Sequence, residues 1–313
     1  MSILITGGSG FIGAEIAQML SARGDGPIHV SNRSGNFERL GPLADTVELI
    51  QADLGDVDAV ARMVRDVKPD RLFHFGAMLT GPGEADPQAL LQSNAIGVIR
   101  LFEEARLAGT EQIIFASSIG TYGRDLAPGL ITDRSLQRPN TIYGVTKVFG
   151  ENLGAYYRTK YGLDYRGIRY PSVVGPGVTT RSIVQYTSWM IEHAAQGKPF
   201  VVWTPPETIV PILYYKDAAR AALDLAAAPS ESIEAINYLV DGVPPTPTAG
   251  ELADAVRERI PEAQISFEPN PTVAAALSRS LAIDDAAARQ EWGWQPEFGV
   301  GDMIDDFVLG LTR

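Results

Sequence analysis

Residues 2–13 read SILITGGSGFIG: a short apolar run breaks into glycines, and an apolar pattern then resumes. SILIT (2–6) predicts a buried strand. FIGAEIAQMLSARG (11–24) has helical spacing and ends on glycine, so it predicts the helix that follows. Gly7, Gly10 and Gly13 therefore fall in the turn between the first strand and the first helix. Glycine is required there because a tight turn and close backbone approach leave no room for a β-carbon. The helix N-terminus, at Phe11 and Ile12, offers free N–H groups to a pyrophosphate. Alone the pattern is weak, and a plain glycine-rich turn is its bland alternative. Its place at a strand–helix junction makes it a dinucleotide cradle.

The same rhythm continues outward. Strands are expected at 28–31, 47–53, 71–77 and 111–118, and helices at 56–67, 87–109 and 141–162. A further strand is expected at 163–170. Such alternation predicts an α/β fold, a Rossmann-like doubly wound parallel sheet with ligands at the carboxyl ends of its strands. After Pro171 the rhythm breaks. Residues 1–170 are expected to form the dinucleotide-binding domain, and 171–313 mainly a small C-terminal substrate-binding lobe. The two are interleaved, because strands from about 208–240 return to the main sheet. The Pro-rich stretch 241–250 reads as a loop.

Composition narrows the function. The chain has 313 residues, 45% hydrophobic and 20% charged, with a formal charge of −12. That balance makes nucleic acid or an anionic membrane a poor partner. There is no cysteine, which removes disulfides, thiolate metal sites and cysteine nucleophiles. His29, His74 and His193 stand apart, so no metal site is expected. His74 lies within a strand and reads as a packed core residue. No apolar run approaches the ~18 residues of a membrane span, and no leader pattern precedes the first strand. A cytoplasmic location is the expectation. Without G-x-S-x-G or a histidine to serve a serine nucleophile, a hydrolase is disfavoured.

The cofactor is read at the strand ends. NAD sites place an acid after the second strand. Here Asn32 and Arg33 stand in VSNRSG, a neutral residue followed by a cation, which favours NADP over NAD. The alternative makes Arg33 a solvated surface charge. Asp53, with Leu54 beneath it, suits the adenine edge, or Asp53 caps the helix at 56–67. Gly76 and Ala77 end the fourth strand, where small residues let the backbone pass close to the dinucleotide. Met78 follows on the substrate side.

The chemistry is read from YGVTK (143–147). Tyr143 and Lys147 are four apart on a helix and share a face. A free tyrosine titrates near ~10, too high for a base, and a neighbouring ammonium lowers that value. Ser118 ends the fifth strand, where it would hydrogen-bond the reacting oxygen, with Ile119 next to it. A lone Y-x-x-x-K is usually structural. Glycine loop, strand-end serine and Tyr–Lys pair in this order assign several roles together. Of the tryptophans Trp189, Trp203, Trp292 and Trp294, most are expected to pack the lobe.

Taken together, TGGSGFIG, SNAIGVIRLFEEAR, SSIGTYG, YGVTK, IRYPSVVGP, KDAARAAL and EWGWQPEFG resemble the extended short-chain dehydrogenase/reductase family, over nearly the whole chain. The resemblance implies NAD(P)-dependent hydride transfer, with Ser118, Tyr143 and Lys147 catalytic. It implies that Asn94 helps hold a proton-relay water and the lysine. Tyr170, Pro171 and Val173 would pack on the nicotinamide. It also implies a homodimer through the helices near 88–108 and 141–161. Residues 143–180 and 210–229 resemble the branch of short-chain L-threonine 3-dehydrogenases. That branch follows its Thr-Thr pair with an aspartate, whereas Thr179 and Thr180 here precede Arg181. A cation repels a substrate ammonium and suits a carboxylate. The expected substrate is therefore small and polar, threonine-like or a hydroxy acid, touched by Thr179, Thr180 and Arg181. A nucleotide-sugar 4-epimerase is one alternative. A dinucleotide-binding protein without turnover is another.

Overall fold

In a computed structural model the described residues are 1–123, 129–243, 245–278 and 281–311. Strands β1 (Ile3–Thr6), β2 (Ile28–Asn32), β3 (Glu48–Gln51), β4 (Arg71–His74) and β5 (Gln112–Ser118) come first. A short β6 (Gly129–Ile131) precedes β7 (Asp164–Tyr170). Then follow β8 (Ser172–Val174), β9 (Phe200–Val202), β10 (Ile212–Tyr214), β11 (Asn237–Leu239), β12 (Ile265–Phe267) and β13 (Leu281–Ile283). Seven strands form one sheet in the order β11-β7-β5-β4-β1-β2-β3. Every neighbouring pair is parallel. This is the doubly wound order, and the chain reverses direction across the sheet between β1 and β4.

Helices cover both faces. In chain order the helices are α1 (Phe11–Ala22), α2 (Val57–Val67), α3 (Thr80–Ala85), α4 (Pro87–Leu91), α5 (Gly97–Ala108), α6 (Ile142–Tyr161), α7 (Tyr186–Ala195) and α8 (Tyr215–Ala227). After them come α9 (Ala249–Arg259), α10 (Pro271–Leu277), α11 (Ala286–Trp292) and α12 (Val300–Leu311). On one face Ile16, Ala17 and Leu20 of α1 and Ala218, Ala222 and Leu225 of α8 pack on Ile5, Val30, Ile114 and Ile168. On the other, Val60 and Val64 of α2 and Leu101 and Phe102 of α5 pack on Leu4, Leu72, Ile113 and Phe115. Both layers bury apolar residues on a sheet whose strands alternate between the two cores, as strand geometry requires.

The C-terminal part has its own core of Tyr186, Met190, Phe200, Leu252, Val256 and Phe307. Of the stretch 208–240, β11 extends the main sheet, but β10 does not; it pairs with β8. The helix expected over 87–109 is three pieces, because residues 92–96 are π-helical. The expectation that the tryptophans pack the lobe holds for Trp189 and Trp203. Trp292 and Trp294 sit instead against the main core, where Trp294 Nε1 donates to the Asp241 carbonyl. Among the described residues no helix is long and apolar enough to cross a membrane.

α6 lies close on the sheet because glycines face it. A β-carbon on Gly150 would collide with the Phe115 ring, and one on Gly154 with the Tyr165 ring. Helix propensity alone makes Gly→Ala in a helix stabilising by ~1 kcal/mol. Tyr165 is fully buried and has nowhere to move, and overpacking a core costs ~1–3 kcal/mol. Gly154→Ala is therefore expected to lower the urea midpoint. A raised midpoint would show that the helix–sheet contact is loose.

Candidate active site

The site begins where β1 and β4 part. Gly7 has φ +66°, and a β-carbon there would lie 2.6 Å from the Gly76 nitrogen. A β-carbon on Gly13 would stand 2.5 Å from the Gly7 carbonyl oxygen, and one on Gly10 2.9 Å from it. The three glycines and Gly76 are thus in backbone-to-backbone contact. No side chain caps α1 at Gly10, so the first-turn amides of Phe11, Ile12 and Gly13 have no intrahelical partner. Bare backbone beside an uncapped helix N-terminus fits a pyrophosphate. Leu54 lies under Gly76, and its carbonyl would collide with any β-carbon on Gly97, where α5 begins.

At the end of β2, Asn32 folds the following loop. Its amide nitrogen donates to Ser9 Oγ and, at 2.9 Å, to the Asn36 carbonyl. Its oxygen accepts from the Ser34 amide at 2.8 Å and from Ser34 Oγ at 3.0 Å. Arg33 is exposed and lines a cavity of about 370 Å³ with Asp53, Met78, Gln92 and Ser93. Asp53 does not cap α2. Its carboxylate turns back to the Gly55 amide at 2.8 Å, because the helix starts at Val57, beyond its reach. Asp56 is the cap, accepting from the Asp58 and Ala59 amides.

Ser118, Tyr143 and Lys147 come together at the carboxyl ends of the strands. Thr141 caps α6 through the Gly144 amide, 3.1 Å away, and Glu84 accepts from the Ile142 amide at 3.0 Å. A β-carbon on Gly144 would collide with the Gly120 carbonyl. The first turn of α6 is thus held against the turn after Ser118, and Ser118 Oγ and the Tyr143 ring both border Gly120. Ser118 Oγ also accepts from the Gly120 amide at 3.0 Å. Lys147 is buried; its Nζ donates to the Ala116 carbonyl at 2.6 Å and stands 5.5 Å from the Tyr143 ring centre. Asn94, in the π-helical turn, clasps Met78, accepting from its amide and donating to its carbonyl, both at 2.8 Å. It also lies 3.5 Å from Thr146 Oγ1.

The expected fall in the Tyr143 pKa is not what this arrangement gives. Desolvation pushes the phenol up to about 12, and the neighbouring Ser118 side chain only partly offsets that. The ammonium meant to lower it is committed to Ala116 and is itself brought down to about 8 by burial, against the opposing pull of Glu151. His74 is fully buried, bonded to Thr6 Oγ1 and stacked on Phe115. Burial and then the Lys147 charge bring it down to about 3, so it is a neutral core residue.

The segment beyond β8 is anchored on both sides of the Thr179–Arg181 stretch. Arg39 donates to the Gly177 carbonyl at 2.7 Å and Trp189 Nε1 to Val178 at 2.7 Å; Trp203 Nε1 donates to Ile183 at 2.9 Å. Thr179 and Arg181 are exposed and Thr180 half-buried between them. The Arg181 backbone borders Gly81, three residues beyond Met78. Not every named residue faces the crevice. Tyr170 turns its ring into the core and donates to the Ala218 carbonyl at 2.9 Å. Pro171 is buried, Val173 packs on the same core, and Ile119 packs on Tyr122, Ile131 and Ile283. Gly97, Gly120 and Gly144 are contributors that sequence reasoning missed. Each is a lone glycine whose need appears only when its neighbour across the fold is known.

Comparison with known proteins shows the family and the fold. Residues 3–240 match the NAD dependent epimerase/dehydratase family. The chain is 32% identical over 311 residues to the mitochondrial L-threonine 3-dehydrogenase of Bos taurus, covering 96% of this chain and 80% of that one. A GalE-like L-threonine dehydrogenase from Cupriavidus necator, in its holo form, superposes with a TM-score of 0.87 at 27% identity, covering 98% and 99% of the two chains. A UDP-glucose 4-epimerase from Thermotoga maritima shares the fold, with a TM-score of 0.86 at 22% identity over 100% and 99%.

The buried ammonium gives a pH signature. The Lys147 pKa lies below its ordinary 10.5, so between about 8 and 10.5 the folded chain binds fewer protons than the unfolded one. The stability this group contributes is therefore lowest below that window and rises with pH through it. Lys147→Met should raise the urea midpoint at neutral pH, by an amount that shrinks as pH approaches 10.5. Above pH 10 the raised Tyr143 pKa acts in the opposite direction in both proteins. A gap independent of pH would contradict the burial of a charged Lys147.

Proposed function

This chain belongs to the NAD dependent epimerase/dehydratase family, and on that premise we propose that Tyr143 moves the proton in reversible oxidation of a small polar secondary alcohol. The chain is an NAD(P)-dependent oxidoreductase of the extended short-chain type. The observation that carries the proposal is the meeting of Ser118 Oγ and the Tyr143 ring over Gly120 at the strand ends, with buried Lys147 one helical turn along. The glycine contacts at Gly7, Gly10, Gly13 and Gly76, and the uncapped start of α1, fit the dinucleotide, which supplies the hydride acceptor when bound.

Ser118 Oγ holds the substrate oxygen in hydrogen-bond reach of Tyr143 Oη. Tyr143, as phenolate, takes the hydroxyl proton, and the protonated phenol returns it in the reverse direction. Lys147 Nζ stands 5.5 Å from the Tyr143 ring centre, so in turnover its charge would have to oppose the burial that otherwise keeps the phenol protonated. Asn94 keeps the Met78 backbone against α6 through its paired bonds. Tyr143→Phe should keep cofactor binding and lose turnover by ~10²-fold or more. Unchanged turnover would overturn the role of Tyr143.

NADP is the favoured cofactor. Both polar atoms of Asn32 are engaged, with Ser9 of the glycine loop and with Ser34 and Asn36 of its own loop, and beside it Arg33 lines an open cavity. An arginine with no acid at the ribose position suits a 2′-phosphate. NADPH should bind about tenfold more tightly than NADH, equivalent to ~1.4 kcal/mol, and Arg33→Ala should erase the difference. Tighter NADH binding would reverse the assignment.

The substrate reading combines two supports. Relatives named as L-threonine dehydrogenases favour a small 3-hydroxy compound, and exposed Arg181 favours one with a carboxylate. Exposed Ile96, Ile99 and Leu107 on and beside α5, with Val145 and Tyr156 on α6, support a homodimer through these helices. Light scattering should give twice the 33.7 kDa chain mass, and a monomeric mass would refute the pairing.

A further inference from the structure

Behind the reacting groups lies a buried ion pair that the proton transfer does not use. Glu151 follows Lys147 by four residues on α6 and is 2% exposed; Arg169, on β7, is 5% exposed. Arg169 Nε donates to both Glu151 oxygens, at 2.9 and 3.1 Å, and its Nη2 donates at 2.7 Å. Gln137 donates to the same carboxylate at 2.8 Å, and Ser117 Oγ donates to it as well. The remaining Arg169 nitrogen donates to Tyr122 Oη at 2.9 Å and to the Asp133 carbonyl at 2.8 Å. One carboxylate therefore joins β5, α6, β7 and the segment leading into α6.

Burying an ion pair carries a desolvation cost that an apolar pair of similar volume avoids, so its place here calls for another reason. The contact of α6 with the sheet supplies one. Gly150 and Gly154 meet the flat rings of Phe115 and Tyr165. Lys147 bonds the Ala116 carbonyl one turn earlier, but bare helix on aromatic faces has no directional bond at this level to fix how far the helix slides along the strand. Ser117 and Glu151 provide that bond. Ser117 directly precedes Ser118 in β5, and alternation puts its side chain on the α6 side with Phe115. Glu151 shares a helix face with Lys147. A shift at the Ser117–Glu151 contact would thus move Ser118 relative to Tyr143 and Lys147.

We propose that Glu151, held by Arg169, is a positioning residue that acts through Ser117 Oγ to fix the register of α6 on β5. That contact acts with the Gly144–Gly120 packing to set the spacing of Ser118, Tyr143 and Lys147. The proposal rests on the reading of those three as the reacting groups.

Ser117→Ala cuts this bond and leaves the ion pair intact; Ser117→Thr keeps the hydroxyl on a residue that suits a strand. Both are compared with wild type and Tyr143→Phe by three readouts. These are oxidation of L-threonine and of L- and D-3-hydroxybutyrate, NADPH affinity by nicotinamide fluorescence, and amide hydrogen exchange over residues 142–148. For Ser117→Ala we expect kcat about tenfold lower or more, since small misplacements of reacting groups cost this much. KM and the NADPH Kd should stay within about twofold, the pattern of an interaction felt only in the reaction step. Exchange in the first turns of α6 should be faster, and Ser117→Thr should restore both rate and exchange. Unchanged exchange overturns the proposal whatever the substrate. Faster exchange without a fall in kcat overturns it too, as does failure of Ser117→Thr to restore either. Wild-type turnover by Tyr143→Phe would instead defeat the assignment of the reacting groups, and the exchange result would still judge the register bond.

Discussion

The contact between Gly7 and Gly76, backbone against backbone across β1 and β4, is the constraint from which the site follows. Two parallel strands whose connections leave in opposite directions open a crevice, and side chains would normally fill it. Here the walls have none. Gly10 and Gly13 bring α1 down onto the Gly7 carbonyl, so the helix points its unpaired amides into the gap. Leu54 and Gly97 repeat the device one layer out. Together they leave a trough shaped for a dinucleotide and bordered by the residues that would face its reactive end.

α6 meets this trough through a different balance of forces. Its glycines let it lie close to Phe115 and Tyr165, and that closeness buries Lys147. Burial disfavours the charge on Lys147 and also the ionised form of Tyr143, so both groups are displaced from their ordinary pKa values toward neutrality. Glu151 opposes this for the lysine, while Arg169 satisfies Glu151. A substitution of Lys147 or Glu151 on this helix therefore changes charge and hydrogen bonding together.

Much of this was legible in the sequence. Strand–helix alternation is a local property, and so is the place of a glycine run at a strand–helix turn; both carried the sheet and the cradle. Ser118, Tyr143 and Lys147 were legible because each sits at an element whose end the sheet topology brings to one edge. What was not legible depended on distant partners. The π-helical turn at 92–96 places Asn94 on Met78, yet its residues read as ordinary helix. Asp53 and Asp56 are both plausible caps until the helix start is known. The rise in the Tyr143 pKa comes from the enclosure around the ring, which spacing along a helix does not report. The Ser117–Glu151–Arg169 contact joins three elements, and no periodicity signals it.

The central claim is direct hydride transfer from an alcohol carbon. Its most direct test uses L-threonine and 3-hydroxybutyrate carrying deuterium on the hydroxyl-bearing carbon, with oxidised NADP and NAD. The reduced cofactor is then examined by NMR. The account predicts reduced nicotinamide bearing the deuteron at C4 with at least one of these substrates. Cofactor bound to the protein but left unreduced by all of them, or reduced without the label, would contradict it.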